Sequence, residues 1–279
     1  MPLRIIVKRK TGFINVHLNL INSMKNLQVD RRISPDDRMY ASGSERHYFY
    51  VGMSNILAIL NAVNIGLAYP GGDRAVQRIL DFGCGYGRVT RYLRAAFPTA
   101  DIWVADLDPG AVRWCAENYR CAPIENDPAS KTFDLVWLGS VFTHLPEGKA
   151  ERLLLELSQC LRPTGIFIFT SQGRFAIQRL EGIMAGAIED RPYARYGIEI
   201  ALVKKIISGY RSTGYGYVDY PHQTDYGVCC AEPTWYSNRM FSHPDFTQLL
   251  LQEKGTDNHQ DVNAFIRSPL MDETKGGLW

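Results

Sequence analysis

The sequence predicts an α/β protein built on a doubly wound, mostly parallel sheet. Short apolar strands alternate with amphipathic helices from residue 78 to 170. A glycine-rich turn joins the first of those strands to its helix, and an acidic residue closes the next strand. Parallel strands need long crossovers, and strands of nearly continuous apolar character are covered on both faces.

Taken in order, residues 1–45 read as an N-terminal arm or lid. Pro35, Asp36 and Asp37 mark a turn there, and 1–35 show no periodicity. From about Arg46 to Leu67, Val51, Ile56, Leu57, Leu60 and Val63 fall at helical spacing, and Pro70-Gly71-Gly72 breaks the run. Arg78 to Phe82 is a short apolar strand, and Val89 to Phe97 is the helix after the glycine turn. Asp101 to Asp106 is the second strand. Asp108 then suits an N-cap and Pro109 a first helical position, with Val112, Cys115, Ala116 and Tyr119 on one face.

Phe133 to Leu138 is the next strand. Pro146 to Leu161 is a helix with Ala150, Leu153, Leu154, Leu157 and Leu161 on its buried stripe, and Ile166 to Thr170 follows as a strand. Beyond Thr170 the alternation is lost. Residues 174–189 look helical; 209–241, rich in Gly, Tyr and Pro, read as loops with short strands. Ser242-His243-Pro244-Asp245 opens a helix through Leu251, and 260–267 make a last strand.

The bulk numbers restrict the function classes. A chain 46% hydrophobic and 22% charged has material for a sizeable core. A net charge of +2 creates no field that would gather nucleic acid or anionic membrane, so neither is expected as a partner. Cys84, Cys115, Cys121, Cys160, Cys229 and Cys230 show no zinc spacing, which fits reduced thiols and a cytoplasmic protein. The opening MPLRIIVKRK lacks the apolar stretch of a signal peptide. No window was expected to reach the roughly 18 apolar residues of a membrane helix.

The densest information lies in Asp81-Phe82-Gly83-Cys84-Gly85-Tyr86-Gly87. A ligand approaches a backbone closely only where side chains are missing, and glycine accepts the positive φ such a turn requires. The alternative is a tight structural turn. Asp106, about twenty residues on, ends the next strand, where an acid can hold both ribose hydroxyls of a nucleotide. Asp81 can meet a cationic group. A dinucleotide fingerprint spaces its glycines G-x-G-x-x-G, whereas here Gly87 comes one position early and Arg88 takes the dinucleotide position.

The D-x-G-x-G-x-G form resembles motif I of the class I S-adenosylmethionine-dependent methyltransferases. ILDFGCGYGRVTRYL, VADLDPGAVRWCAENY, FDLVWLGSVFTHLPE and LRPTGIFIFT look like successive motifs of that superfamily. The combination of DFGCGYGRV, SVFTHL and a late HQDV resembles a bacterial branch associated with sugar or secondary-metabolite modification. The resemblance implies a Rossmann-like sheet of about seven strands with helices on both faces and the last strand antiparallel. Residues 46–279 would form one methyltransferase domain, with a cofactor-binding half at 46–172 and acceptor-side additions with the last strands at 173–279.

By the same resemblance Asp81, Gly83, Gly85 and Gly87 surround the methionine tail of S-adenosylmethionine, Asp106 binds the ribose and Leu107 lies against the adenine. Cys84 and Ser140 belong to the same cofactor-binding set. PIENDPASKT at 123–132 departs from the family pattern of an acid followed by an apolar, proline-containing stretch, Asp127-Pro128 being its nearest counterpart.

Methyl transfer from a sulfonium is an in-line displacement that chiefly requires positioning. A hydroxyl acceptor also needs a base, for which His144, just beyond the strand 133–138, is the candidate; the alternative is a helix cap. Tyr236, Asn238, His259 and Gln260 are candidate substrate contacts, or else loop and strand-entry residues. The tyrosines at 210, 215, 217, 220 and 226 form an aromatic wall or pack loops. No carboxylate cluster calls for a metal. The expected activity is O-methylation of a small-molecule or glycan acceptor. A cofactor-binding protein without transfer activity and an NAD-dependent oxidoreductase remain the alternatives.

Overall fold

A computed structural model describes residues 27–69, 75–124, 132–189 and 197–268. The described helices are α1 (Glu45–Leu67), α2 (Thr90–Ala96), α3 (Pro109–Tyr119), α4 (Glu147–Gln159), α5 (Arg174–Met184), α6 (Ile200–Thr213) and α7 (Pro233–Phe241). The strands are β1 (Arg78–Phe82), β2 (Asp101–Ala105), β3 (Ala122–Pro123), β4 (Phe133–Leu138), β5 (Leu161–Ser171), β6 (Tyr215–Asp219), β7 (Gly227–Ala231), β8 (Phe246–Thr256) and β9 (Gln260–Arg267). Seven of them form one sheet in the order β3-β2-β1-β4-β5-β9-β8, and β6 and β7 form a separate hairpin.

The pairs from β3 through β5 are parallel, whereas β9 runs antiparallel to both β5 and β8. This is the doubly wound sheet with a reversed last strand that the motif order implies. The reversal has a local cause. Thr256–His259 is a β-turn whose two central residues, Asp257 and Asn258, have φ of 51° and 50°. Positive φ at both centres matches the twist of a tight hairpin, and Asp and Asn tolerate it better than other non-glycine residues.

Side-chain alternation builds the two layers. In β5, Ile166 and Ile168 join the layer under α1, α2 and α3, and Phe167 and Phe169 join the opposite layer under α4 and α7. Full burial of Phe167, Phe169 and Phe265 stabilises by roughly 1.5–3 kcal/mol each relative to exposure. A third cluster, with Leu180, Val203, Ile206, Val218 and Cys230, holds α5, α6 and the β6–β7 hairpin together as a cap.

Four readings of the sequence change. Residues 246–256 form a strand, because β9 supplies a pairing partner that outweighs the helix-start signal at Ser242-His243-Pro244-Asp245. Within the stretch read as loops lie the end of α6 and all of α7. Glu232-Pro233 is the missed helix start, and left-handed Gly214 is the missed stop after α6. The helix from 174 ends at Met184. Finally, α1 is long and apolar enough to cross a membrane by length and composition. Here 12 of its 23 residues are buried and it packs against β8 and β5, which makes it a core helix of this fold.

Candidate active site

The glycine turn follows β1 at the carboxyl edge of the sheet, the edge where open α/β sheets receive ligands. All three glycines are left-handed, with φ of 82° at Gly83, 50° at Gly85 and 82° at Gly87. Their surroundings differ. A Cβ on Gly83 would come within 2.4 Å of Val141 Cγ2, and one on Gly87 within 2.2 Å of Tyr119 Cε2. A Cβ on Gly85 would meet nothing within 4 Å. Gly83 and Gly87 are therefore demanded by packing, and Gly85 is where the backbone lies open to a ligand.

Asp106 and the turn are locked together. One Asp106 oxygen accepts the Gly85 N–H at 2.8 Å and the other the Asp108 N–H at 2.9 Å. Asp108 in turn caps α3 by accepting from Gly110 N and from the Tyr86 hydroxyl. Leu107, between the two acids, is 91% exposed, an apolar side chain held out beside the turn.

Beneath the turn Asp81 is buried and accepts a 2.6 Å hydrogen bond from Thr90 Oγ1. Burial pushes its carboxyl up to about 7, which the Thr90 hydrogen bond opposes and the nearby Asp106 charge reinforces. The Cys84 side chain turns into the core, so among the residues expected around the cofactor it can offer only its backbone. All six cysteines are free and buried.

At the end of β4, Ser140 adopts φ 61°. Its N–H donates to Thr170 Oγ1 at 2.8 Å and its hydroxyl to Gln260 Oε1 at 3.0 Å. Two residues expected on the cofactor and substrate sides are thus joined directly. His259 Nε2 lies 3.3 Å from Gln172 Nε2, and burial, aided by the Arg179 charge, lowers the His259 pKa.

His144 ends a short 3₁₀ turn, Phe142–His144, that buries Phe142 and sends the imidazole toward the cap. Its Nδ1 is 2.8 Å from the Gly227 carbonyl oxygen and 3.2 Å from the Tyr220 hydroxyl. Tyr226 stacks on the ring at a centroid distance of 5.0 Å. Burial lowers the His144 pKa. Two members of the tyrosine wall, Tyr220 and Tyr226, therefore enclose the imidazole. Tyr210 is buried in the cap core, and Tyr215 packs on Trp235 while its hydroxyl donates to the Leu145 carbonyl.

One expected substrate contact is corrected. Tyr236 is fully buried between the rings of Phe142 and Phe169, at 5.5 and 5.1 Å, and has no surface to present. Asn238 is exposed on α7. Residues 125–131, with Asp127-Pro128, lie outside the described residues.

Sequence reasoning also passed over Arg91. Although almost wholly buried, its guanidinium donates to the carbonyls of Gly87, Asp30 and Arg32 at 2.9, 3.1 and 2.7 Å. It ties the segment before α1 to the glycine turn. The charge pattern of 88–94 offered no sign of this, because the acceptors are backbone carbonyls.

Together the reversed β9, the left-handed glycine turn and the acid after β2 define a Rossmann-like α/β fold. Residues 80–169 match the family model described as a methyltransferase domain. The malonyl-[acyl-carrier protein] O-methyltransferase of Enterobacter lignolyticus is 30% identical over 142 residues, 50% of this chain and 55% of that protein. That of Salmonella typhimurium is 27% identical over 143 residues, 50% of this chain and 56% of that protein. The chain thus spans about half the length of these curated relatives. A solved S-adenosylmethionine-dependent methyltransferase from Clostridium acetobutylicum shares the fold at 12% identity and a TM-score of 0.50, covering 79% of this chain and 92% of that one.

Proposed function

We propose that the protein transfers a methyl group from S-adenosylmethionine to an oxygen of a small acceptor. The arrangement around Gly85 carries this reading: an open backbone position, the Asp106 carboxylate accepting its N–H, and the exposed apolar side chain of Leu107. Asp81 under the same turn suits the ammonium of an amino-acid tail. When bound, the sulfonium supplies an activated methyl group. The protein's part is to orient donor and acceptor and to exclude water, a role we assign to the cap of α5, α6 and the β6–β7 hairpin.

Two acceptor classes differ in what they ask of His144. A hydroxyl of a small molecule or glycan must lose its proton. With Nδ1–H donated to the Gly227 carbonyl, His144 keeps a lone pair on Nε2 to receive it. A carboxylate acceptor, the class favoured by the malonyl-[acyl-carrier protein] O-methyltransferase relatives, is already ionised and needs no base. Free buried thiols accord with a cytoplasmic location.

Calorimetric titration of S-adenosylmethionine into wild type and Asp106→Ala tests the reading. Binding in the micromolar range that weakens at least tenfold in the variant, about 1.4 kcal/mol, is expected. Absence of binding by the wild type overturns it. Transfer of labelled methyl to a malonyl thioester or to a glycoside then separates the acceptor classes.

A further inference from the structure

In the cap, α5 and α6 pack against each other, burying Leu180 and Ile183 from one helix and Val203 and Ile206 from the other. Their outer faces meet at an open groove of about 720 Å³. From α6 it is lined by Lys204, Ile207, Ser208 and Arg211, spaced i, i+3, i+4 and i+7, and from α5 by Glu181 and Met184. Met184 and Ile207 are only partly buried, so the floor is apolar and open to solvent.

The charge of these helices differs from that of the rest of the chain. The whole chain has a net charge of +2, yet α5 and α6 carry Arg174, Arg179, Lys204, Lys205 and Arg211 against one acid, Glu181. That acid is already taken, since Arg211 reaches it across the groove at 2.6 Å. Arg174 is paired with Glu253, also at 2.6 Å. Lys204 and Lys205 are exposed and make no ion pair with any described residue.

An apolar strip edged by unneutralised cations is the complement of a helix whose apolar stripe is flanked by carboxylates. The α6 stripe from 204 to 211 runs about 10 Å, room for roughly two turns of such a helix. A nucleic acid would find no aromatic platform beside these cations and would gain nothing from Met184 and Ile207. We propose that the α5–α6 groove docks an acidic amphipathic helix of a partner protein. This goes beyond the methyl-transfer reading and does not depend on it. A partner seated there grips the helices that pack with the β6–β7 hairpin, and with them the Gly227 carbonyl that holds His144.

The test is fluorescence anisotropy on the full chain with two labelled synthetic peptides. One is a helix with leucines along one face and glutamates flanking them; the other has the same composition, scrambled so that no face is apolar. The first is expected to bind with a Kd on the order of 10–100 µM, weakening as salt rises, and the second at least about tenfold more weakly. Lys204→Glu/Lys205→Glu, at exposed positions, is expected to keep wild-type thermal unfolding and to weaken the helix at least about tenfold. Met184→Gln is expected to weaken it about three- to fivefold. No binding of the helix up to about 1 mM overturns the proposal. Equal binding of both peptides also overturns it, because the surface would then respond to charge alone, and so does tighter binding of an RNA duplex of the same charge. A wild-type dimer in sedimentation that the double variant dissociates gives the groove to a second copy of the chain and likewise overturns it.

Discussion

His144 and Gly227 join the 3₁₀ turn after β4 to the β6–β7 hairpin: the imidazole Nδ1 lies 2.8 Å from the Gly227 carbonyl oxygen. A carbonyl can only accept, so Nδ1 carries the proton and the neutral ring keeps its lone pair on Nε2. Gly227 is itself dictated by packing, since a Cβ there would stand 1.8 Å from the Val218 carbonyl oxygen. The close pairing of β6 with β7 thus sets the tautomer of a residue in the 3₁₀ turn after β4.

For a hydroxyl acceptor, His144→Gln is expected to lower kcat by about 10²–10⁴ with donor affinity unchanged. For a carboxylate acceptor the loss should stay under tenfold. Because burial lowers the His144 pKa below its usual 6.5, wild-type kcat/KM with a hydroxyl acceptor should rise through a pH under 6.5 and level off above it. The sign for stability agrees: the folded ring binds its proton less readily than the unfolded one. The His144 contribution is therefore present above pH 6.5 and is lost as pH falls toward the folded value. Steady-state rates between pH 5 and 9 for both proteins check this.

Asp81 should make donor affinity depend on pH in the opposite region. Its carboxyl is raised from 3.8 to about 7, chiefly by burial, so the folded protein holds a proton that the unfolded chain releases. Stability from this group is complete below pH 3.8 and declines as pH rises to about 7. An ammonium prefers the ionised acid, so S-adenosylhomocysteine should bind more tightly as pH rises through about 7, with proton release on binding. Asp81→Asn should flatten that profile. Calorimetry in buffers of different ionisation enthalpy measures the proton directly.

The turn glycines should separate under substitution. Gly87→Ala places a methyl group 2.2 Å from the Tyr119 ring at a left-handed position and should cost about 3 kcal/mol or more in urea unfolding. Gly85→Ala meets nothing and should cost only about 1–2 kcal/mol from its φ of 50°, yet abolish measurable donor binding. Equal donor binding by Gly85→Ala and wild type would remove Gly85 from the ligand surface.

Leu107→Ser should leave stability within about 0.5 kcal/mol, because the side chain is 91% exposed. If the leucine covers an adenine, S-adenosylhomocysteine should bind about 5- to 10-fold more weakly, an effect of about 1 kcal/mol of apolar contact. Thermal unfolding and titration of the same preparation separate the two effects.

The sequence by itself determined the half of the protein whose contacts are local. Strand–turn–helix units from β1 to β5 are legible because each announces its ends: Asp108 and Pro109 open α3, and glycine is the residue that readily takes the left-handed φ the turn requires. Asp81, Asp106 and Gly85 belong to that half. Tertiary structure alone decided the rest, for reasons of partnership. β8 is a strand because β9 lies beside it, and Tyr236 is core because Phe142 and Phe169 close over it. His144 faces a carbonyl 83 residues away in sequence, and the Ser140 hydroxyl a glutamine 120 residues away. Helix caps and glycine turns are short-range interactions encoded where they occur. A side chain's partner across the sheet is set by packing summed over the whole chain, and no local pattern contains it.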